Sequence, residues 1–510
     1  MLYKEIPFTG YCIALIAGIL CGSYMNSLIY SNAVYIVTTA VLVSIILIRR
    51  HLRSSLLFGL LVHCCIISLG CSLSLIKKSK NKYISGESHS FIVKTDDYPS
   101  HTAKSLKINV FIERVDNDSG LKGNRLLVYT DERFISPDLK PGNILSLASY
   151  PVEITDFDST DNFDYRLFMN RRGYRYCIFC YDSIAIRGHR PGLKHKALII
   201  RRQLMERLEN SLDTGKSLAV VSAMTLGYRK LIDDEIKTVF RKSGIIHIMA
   251  VSGLHVGIVS LIVLSLFKII RLRSGIMKLI ISLVIIWLYA LLTGLSPSVT
   301  RASVMFSFLS IGYIIYRPAK PLNSVMASAF IILIINPSMI YEPSFLLSYA
   351  AVISIVINYK DLVEKINIRG RLPASVWKIL VVSVLAQAGT LPFVALFFGE
   401  VPMLSILTNL FAIPLASGIL VLGFSLILTA ELPLIPDILS SIINYCVDTL
   451  TDISGSIASF DAVVSLDALS PVRAVILFFI LMILLRYILN AERRNPHLLL
   501  IASILYLISP

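Results

Sequence analysis

The chain has 510 residues, of which 55% are hydrophobic and only 16% are charged. A soluble globular protein carries about 25% charged residues, so this composition excludes a disordered chain and disfavours a wholly soluble enzyme. With a mean hydropathy of +0.71 and a formal net charge of +16, the sequence predicts a basic integral membrane protein. Excess Lys and Arg fits positive-inside topology, contact with anionic lipid or a polyanionic cargo, and the sign alone does not separate these.

Three apolar segments open the chain, near residues 11–30, 33–48 and 56–76, and each approaches the ~20 residues that cross a bilayer. Basic residues fill the loop at 49–53, which the positive-inside rule places in the cytoplasm. We therefore expect residues 1–76 to form three transmembrane helices with a cytoplasmic N-terminus. The first segment lacks a cleavage site that leads directly into soluble sequence, so an uncleaved helix is expected rather than a signal peptide.

Residues 77–195 differ in character and contain no spanning segment. Short runs of alternating hydrophobicity, such as LKINVFIERV (106–115) and NRLLVYT (124–130), are separated by turn clusters such as KPGN (140–143). Four to six short strands at this spacing predict a small all-β domain. Five strands in ~100 residues fit an OB-like barrel, although a sandwich fits as well. Because it follows the third span, this domain is expected outside the cytoplasm.

The membrane pattern resumes in residues 196–510. The stretch 196–212 has apolar residues on one face and arginines on the other, which is typical of a helix lying in the membrane interface. Basic loops alternate between the later segments, so we predict a polytopic α-helical membrane protein of about 10–11 spans. Segments 437–460 and 497–509 are ambiguous. The clearer apolar segments lie near 244–270, 277–294, 300–316, 322–336, 344–359, 376–398, 402–430 and 471–490.

The most polar of these membrane segments is 244–257, which carries His247, Ser252, Gly253 and His255. On one continuous helix His247 and His255 would lie about 80° apart, with Ser252 between them, so the three would share a face. Gly253 permits close approach of another backbone or interrupts the helix. Polar residues at this depth are candidates for a functional site, and hydrogen bonding between helices is the structural alternative.

Further polar residues lie at the ends or breaks of later spans. Ser298 and Arg301 follow a Thr-Gly that ends one span, and the predicted topology puts Arg301 on the outer side, against the positive-inside bias. Gln387 and Asn409 lie near prolines in consecutive spans, which is typical of broken helices that line a cavity. Anchoring of Arg301 to lipid headgroups is the alternative. We predict that these residues and the 244–257 group face one aqueous cavity.

Cationic and aromatic residues interleave at the end of the predicted β domain. Cations that follow a backbone and rings that stack on bases are what sequence-tolerant binding of a single strand requires. The alternative is that the rings form the domain core and the arginines a solvated face. The candidates for DNA binding are Tyr165, Arg166, Arg171, Arg172, Tyr174 and Arg175.

The eight cysteines do not form a disulfide framework, and Cys177 and Cys180 make the only Cys-x-x-Cys. Without a second pair, or His at ligand spacing, we predict no metal site and no cofactor. No catalytic residue is assigned.

Several stretches, taken in chain order, carry a family resemblance. They are FDYRLFMNRRGYRY (163–176), LAVVSAMTLGYRK (218–230), HIMAVSGLHVGI (247–258), LTGLSPSVTRASVM (292–305), NPSMIYEPSFLLSYAAV (336–352) and QAGTLPFVALFFGEVPMLSILTNLFAIPL (387–415). With three preceding spans and an OB-like insert, the chain resembles the ComEC competence-protein family of DNA-uptake channels. The resemblance implies an inner-membrane channel that passes single-stranded DNA into the cytoplasm during natural transformation.

The resemblance also implies partners. A separate DNA receptor is expected, and a cytoplasmic ATPase or helicase must supply energy, because the sequence has no Walker-type phosphate-binding motif. The lipid bilayer is a further expected partner, and the sequence leaves open whether copies of the chain form a homo-oligomer.

There is one departure from the family pattern. Many members end in a metallo-β-lactamase-like domain proposed to degrade the non-transported strand, but no His-x-His-x-Asp-His run occurs here, so we expect no built-in nuclease and no enzyme. Two alternatives to a DNA channel are consistent with a polytopic membrane protein. A small-solute secondary transporter is disfavoured by the scarcity of carboxylates in the spans. An intramembrane metal-dependent hydrolase using His247 and His255 lacks a third ligand.

Overall fold

The computed structural model describes residues 7–25, 55–79, 87–102, 105–116, 121–155, 165–212, 215–271, 273–314, 320–366, 368–466, 469–489 and 503–506. Across these ranges the chain is mostly helical, with one separate β-sheet domain. It divides into two compact units. We call them the N-terminal unit, which comprises Pro7–Arg202 and Phe330–Tyr341, and the membrane unit, built mainly from Gln203–Ala329 and Glu342–Pro510.

The helices, in chain order, are α1 (Pro7–Tyr24), α2 (Ser55–Ser79), α3 (Tyr165–Arg171), α4 (Leu193–Ser211), α5 (Lys216–Leu226), α6 (Asp234–Lys242), α7 (Gly253–Ile269), α8 (Gly275–Leu292), α9 (Pro297–Ile314), α10 (Pro321–Ile335), α11 (Pro343–Lys365), α12 (Arg371–Phe398), α13 (Ser405–Thr429), α14 (Ile435–Ala458) and α15 (Pro471–Leu489). The strands are β1 (His89–Thr95), β2 (Ser100–His101), β3 (Leu106–Val115), β4 (Arg125–Thr130), β5 (Asn143–Ser149), β6 (Pro151–Glu153), β7 (Tyr174–Cys180), β8 (Ala185–His189), β9 (Glu400–Pro402) and β10 (Val463–Ser465).

Seven helices among the described residues are long and apolar enough to cross a membrane: α1, α2, α8, α11, α12, α13 and α15. This confirms a multi-pass membrane protein. Three shorter apolar helices, α5, α7 and α10, accompany them. The predicted span at 33–48 and most of 497–509 lie outside the described residues, so the full number of crossings stays a prediction.

Helices α1 and α2 of the N-terminal unit pack with their backbones in contact. A methyl group added to Gly70 would lie 2.5 Å from the Leu15 carbonyl oxygen and 3.0 Å from the Ile19 nitrogen. Small residues allow this approach, which brings dispersion contacts where the hydrophobic effect between helices is absent. Two of the three predicted N-terminal spans are therefore present as a close-packed pair.

The β-sheet domain is a Greek key extended by a parallel strand. The strand order is β6-β7-β4-β3-β1-β5-β8, with β2 beside β3. Strands β1, β3 and β4 are sequential neighbours and β5 returns to lie beside β1, which is the Greek-key arrangement. Strand β7 then pairs in parallel with β4, so that Phe179 lies opposite Tyr129. A parallel pair needs a long crossover, and residues 131–173 provide it.

Alternating residues of these strands fill the core of the β-sheet domain. Phe91, Ile108, Val128, Leu145 and Ile178 are all completely buried. Helix α3 covers part of the opposite face of the sheet, where Leu127, Met169 and Cys177 form a second small core. Both faces of β4 and β7 therefore carry apolar residues, although only one faces the main core.

The predicted amphipathic helix at 196–212 is present as α4. At its start, in the N-terminal unit, Lys194 binds Asp96 at 2.6 Å and Arg201 binds Asp97 at 3.3 Å. Further along, Met205 and Leu208 join the core of the membrane unit. Its buried residues recur every three or four positions, as an amphipathic helix requires.

Helix α5 lies at the centre of the core of the membrane unit. Every residue from Leu218 to Leu226 is buried, and the surrounding core includes residues of α13 and α14. With 11 residues the helix is about 16 Å long, too short to cross a bilayer. It therefore ends inside the protein, and the chain that follows it carries the candidate site.

Candidate functional site

Three helix ends meet at the break in the apolar segment 244–270. Gly227, which follows α5, lies against Val251 and Thr293: a methyl group placed on it would lie 3.4 Å from a side-chain carbon of each. Thr293 is the residue that caps the end of α8, and Val251 lies two residues before the start of α7. Irregular backbone at membrane depth is tolerated only where it is buried in protein or lines a water-filled cavity. The structure thus concentrates helix ends where the polar residues lie.

The segment 244–257 is not one continuous helix, so of the two roles considered for Gly253 the interruption of the helix is the one present. A short 3-10 helix spans Ile246–Met249, Ala250 is extended, and α7 begins at Gly253. His247 is exposed, and its Nδ1 donates to the Gly244 carbonyl at 3.2 Å. His255 is only 2% exposed. The helical spacing that placed both histidines on one face therefore does not apply, because the helix is interrupted between them.

Ser252 and His255 cap the start of α7. The backbone N–H of Ser252 donates to Nδ1 of His255 at 3.2 Å, and the Ser252 hydroxyl lies 3.0 Å from the same nitrogen. Because Nδ1 accepts these bonds, we assign the ring proton to Nε2. This Nε2 is buried and has no partner among the described residues. His255 thus holds a buried donor that a ligand or a water molecule can satisfy.

Arg301 on α9 is 2% exposed and makes only neutral contacts. Its Nη1 donates to the Ser344 carbonyl at 2.7 Å, and its Nη2 donates to the Ser298 hydroxyl at 3.0 Å. The guanidinium carbon lies 5.5 Å from the ring centre of Tyr349. No carboxylate pairs with Arg301 in the described ranges. A buried charge without a counter-charge is costly, so the site is suited to an anion.

Gln387 joins α12 to the start of α13. Its Oε1 accepts from the Ser405 hydroxyl at 2.8 Å, and its Nε2 donates to the Pro402 carbonyl at 3.4 Å. Gly244, with a φ of +82°, packs directly on Ser405, and no side chain would fit there. Asn409, one turn further along α13, has a buried Oδ1 without a partner in the described part of the chain.

The predicted membrane residues therefore form two groups. Gln387 and Asn409 lie near the start of the 244–257 segment. Gln387 binds Ser405, which packs against Gly244, and Asn409 lies one turn further along α13. Ser298 and Arg301 form a second group with α11, and no hydrogen bond between described residues joins it to the first. Whether both groups face one aqueous cavity stays a prediction. The described residues contain no cluster of three or more His, Cys, Asp or Glu that could hold a metal ion.

Three of the predicted DNA-binding arginines of the β-sheet domain contact aromatic rings or a carboxylate, and Arg166 is exposed on α3. The Arg171 guanidinium lies 4.2 Å from the ring centre of Tyr341, and that of Arg172 lies 4.1 Å from Phe168. Arg175 binds Glu153 at 3.3 Å. Tyr165 and Tyr174 pack against the second core.

Sequence analysis did not single out an aromatic platform on the same face, formed by Lys107, Tyr129 and Phe179. The rings of Tyr129 and Phe179 stack with their centres 5.4 Å apart and their planes 19° apart. Lys107 Nζ lies 6.0 Å from the Tyr129 ring centre. Burial, and then the Arg172 charge, lower the pKa of Lys107. Phe179 is 44% exposed, so the end of the stack is open to a further ring.

The strand register explains both the platform and the absence of a local sequence pattern for it. Lys107 lies opposite Tyr129 in the β3–β4 pair, and Tyr129 lies opposite Phe179 in the β4–β7 pair. The alternation within each strand is visible in the sequence. The parallel pairing of β4 with β7 joins residues 50 positions apart, and no local pattern encodes it.

Comparison with known proteins gives three curated relatives. ComE operon protein 3 of Bacillus subtilis (strain 168) is 29% identical over 279 residues, which are 54% of this chain and 34% of that protein. An uncharacterized protein of Aquifex aeolicus (strain VF5) is 30% identical over 210 residues, 41% of this chain and 48% of that protein. Uncharacterized protein YcaI of Escherichia coli (strain K12) is 26% identical over 268 residues, 48% of this chain and 34% of that protein.

The matched regions thus cover less than half of each relative's length. No solved structure matches the chain. The family model described as "Competence protein" matches residues 224–507, more than half of the chain and the region that holds all the membrane residues of the candidate site. The chain therefore belongs to the Competence protein family.

Proposed function

We propose that this chain forms a channel of the bacterial inner membrane that imports single-stranded DNA during natural transformation. Arg301 carries the proposal, because a buried guanidinium with only neutral partners among the described residues lacks a negative charge that a DNA phosphate supplies. Membership in the Competence protein family and the similarity to ComE operon protein 3 support a role in DNA uptake. The proposed role is transport, and it assigns no catalytic residue.

In this proposal the phosphates meet donors at the helix ends of the membrane unit. Two of the five N–H groups of Arg301 bind Ser298 and Ser344, and the remaining ones can be offered in a fork to a phosphate. The Nε2–H of His255 supplies a neutral donor at the start of α7, where the helix dipole also favours negative charge. Ser252 and Gly253 hold that helix start, and Gln387 and Asn409 line the neighbouring break.

The β-sheet domain is proposed to be OB-like and to hold the strand outside the cytoplasm. Its Greek key with a fifth, parallel strand supports this, because an OB-fold is a five-stranded, partly open Greek-key barrel. The platform offers a stacking surface for bases, and Lys107 with Arg166 and Arg172 offers charges for the backbone. Arg175, Tyr165 and Tyr174 support that face from the second core.

The remaining organisation follows from the sequence. We propose three N-terminal helices in 1–76, the OB-like domain in 77–195 and the channel domain in 196–510, with the N-terminus in the cytoplasm. A separate DNA receptor would deliver the strand, and a cytoplasmic ATPase or helicase would pull it. The proposal holds for a single chain and for a homo-oligomer.

The test is uptake of labelled DNA into the cytoplasm of a transformable strain whose own copy of this gene is deleted. Wild-type protein should restore uptake, and Arg301→Gln should lower it about tenfold or more, since a hydrogen bond to a charged group contributes about 1.5–3 kcal/mol. Arg273→Gln, which removes an exposed arginine between α7 and α8, should leave uptake unchanged. Normal uptake in the deletion strain would reject the channel, and normal uptake in Arg301→Gln would reject the phosphate site.

A further inference from the structure

The start of α11 supplies two of the contacts that hold Arg301 in place. Its Nη1 donates to the carbonyl of Ser344 in the first turn of that helix, and its guanidinium carbon lies 5.5 Å from the ring centre of Tyr349. The remaining contact is with Ser298 on the same helix as Arg301. Tyr349 is itself fixed to α10, because its hydroxyl lies 2.8 Å from the hydroxyl of Ser328. The position of the guanidinium therefore depends on how α11 begins.

A short segment joins α10 to α11 and leads directly to Ser344. It consists of the 3-10 helix Pro337–Tyr341 and of Glu342, which stands at the cap position of α11 but makes no capping hydrogen bond with its side chain. Residues 337–344 are all described, and of these only Pro337 is buried. A segment with few buried side chains opens at a low free energy. Contacts from other elements must therefore keep it in place.

Arg171 at the end of α3 provides such a contact. Its guanidinium carbon lies 4.2 Å from the ring centre of Tyr341. Both residues belong to the N-terminal unit, whereas Glu342 begins the next stretch of the membrane unit. The residue held by Arg171 is thus the last one before the chain enters the membrane unit, and Ser344 follows only three positions later.

We propose that Arg171 is a positioning residue for Arg301, because by holding Tyr341 it orders the segment that presents the Ser344 carbonyl. A guanidinium stacked on a ring keeps its N–H groups in the plane of the fork, so Arg171 can bind a phosphate and hold Tyr341 at the same time. A strand on the β-sheet domain would then order residues 337–344, and a phosphate that binds Arg301 next would lose less conformational entropy. This coupling to DNA rests on the proposed function, whereas the positioning of Arg301 does not.

The test measures how fast the arginine reagent phenylglyoxal modifies Arg301 in the full chain without DNA, with the modified residues identified by mass spectrometry. Arg171→Ala and Tyr341→Leu should each raise the rate at Arg301 about fivefold, the equivalent of the ~1 kcal/mol of a cation–π contact. Two matched controls should keep the wild-type rate. Arg172→Ala removes a stack on Phe168 instead. Tyr341→Phe keeps the ring and loses no hydrogen bond to a described residue.

Two further rates show whether the effect passes through this one contact. The double variant Arg171→Ala/Tyr341→Leu should raise the rate at Arg301 no further than either single variant, because both changes remove the same contact. Arg201, which is buried and binds Asp97, should keep its rate and so report that the fold is intact. An unchanged rate at Arg301 in both single variants, multiplied effects in the double variant, or an equal rise at Arg201 would each overturn the positioning role.

Inorganic phosphate separates this role from the proposed function. Phosphate should slow the modification of Arg301 in the wild type, and Arg171→Ala should need about fivefold more phosphate for the same protection. Equal requirements in the two proteins would overturn the coupling. A wild-type protein that phosphate does not protect would instead contradict the proposed phosphate site, while the rates without phosphate still decide whether Arg171 positions Arg301.

Discussion

Individual residues of the candidate site differ in how completely their polar atoms are satisfied. Buried polar groups in folded proteins almost always have a hydrogen-bond partner. Gln387 follows this rule, because its amide is bonded at both atoms, and it serves to hold α12 and α13 together. His255 and Arg301 depart from it, one through an unpartnered Nε2 and the other through an unpaired charge within the described residues. The departures mark the residues expected to meet a ligand.

Substitutions at His255 can separate its two nitrogens. Asn places an acceptor where Nδ1 lies and so keeps the cap of α7, while Gln reaches the position of Nε2 and loses the cap. If Nε2 contacts the DNA strand, His255→Asn should keep the wild-type melting temperature but lower DNA uptake. His255→Gln should instead destabilise the protein by about 1 kcal/mol, the usual value of a helix cap. Thermal unfolding of the purified chain and uptake of labelled DNA measure the two effects, and equal uptake in wild type and His255→Asn would contradict the role of Nε2.

Acid stability of the β-sheet domain should depend on Asp131. Side-chain hydrogen bonds from Arg133, and then its backbone N–H, lower the pKa of Asp131 from 3.8 to about 2. Because the folded pKa is depressed, the stabilisation is present above pH ~4 and is lost as the pH falls towards ~2. The melting temperature of residues 83–190 should therefore fall more between these pH values in the wild type than in Asp131→Asn. Parallel decreases in both proteins would show that this carboxylate does not contribute.

Whole elements were predictable where a long local pattern specifies them. The apolar runs 277–294, 376–398 and 402–430 correspond to α8, α12 and α13, because a bilayer demands about 20 apolar residues in sequence. The break before α7 was only one of two alternatives for Gly253, since Gly, Ser and His also occur inside membrane helices at their packing faces. Helix α14 was ambiguous for a related reason: its aspartates lower the hydropathy of the segment, and it is not among the seven helices that are long and apolar enough to cross a membrane.

Helix α3 makes a contact of a kind that no local pattern encodes. Arg171 stacks on Tyr341 of the 3-10 segment Pro337–Tyr341, whereas Arg172, the residue after α3, stacks on Phe168 of α3. We expect Arg171→Ala to raise hydrogen exchange in residues 337–341 about fivefold, because a cation–π contact contributes about 1 kcal/mol. Arg172→Ala is the matched control and should leave that segment protected. Equal exchange in the two variants would show that Arg171 does not hold the segment.

At the scale of the whole molecule, charge is unevenly distributed. Residues 77–196 carry 20 Lys and Arg against 15 Asp and Glu, so most of the net charge of +16 belongs to the membrane-embedded parts. Such a modest local excess argues against tight, purely electrostatic binding of DNA by the β-sheet domain. Its contribution to DNA binding must then come from the arrangement of its side chains. The register of β3, β4 and β7 places cations and aromatic rings together on one face of the sheet. That register is a long-range property, which is why the sequence indicated the arginines but not the platform.

The β-sheet domain expressed alone as residues 83–190 should bind single-stranded DNA weakly and with little sequence preference. With three or four phosphate contacts we expect a log–log salt slope of about −2 to −3 for the binding constant. Phe179→Ala should weaken binding by about 1–3 kcal/mol without unfolding the domain, since the ring is exposed and stacked bases contribute this much. Ile178→Ala, a neighbouring change in the main core, should instead unfold or strongly destabilise it, as circular dichroism would report. Titration of a labelled oligonucleotide at low and high salt decides the matter, because a folded domain that binds nothing at low salt would leave the strand to the membrane helices alone.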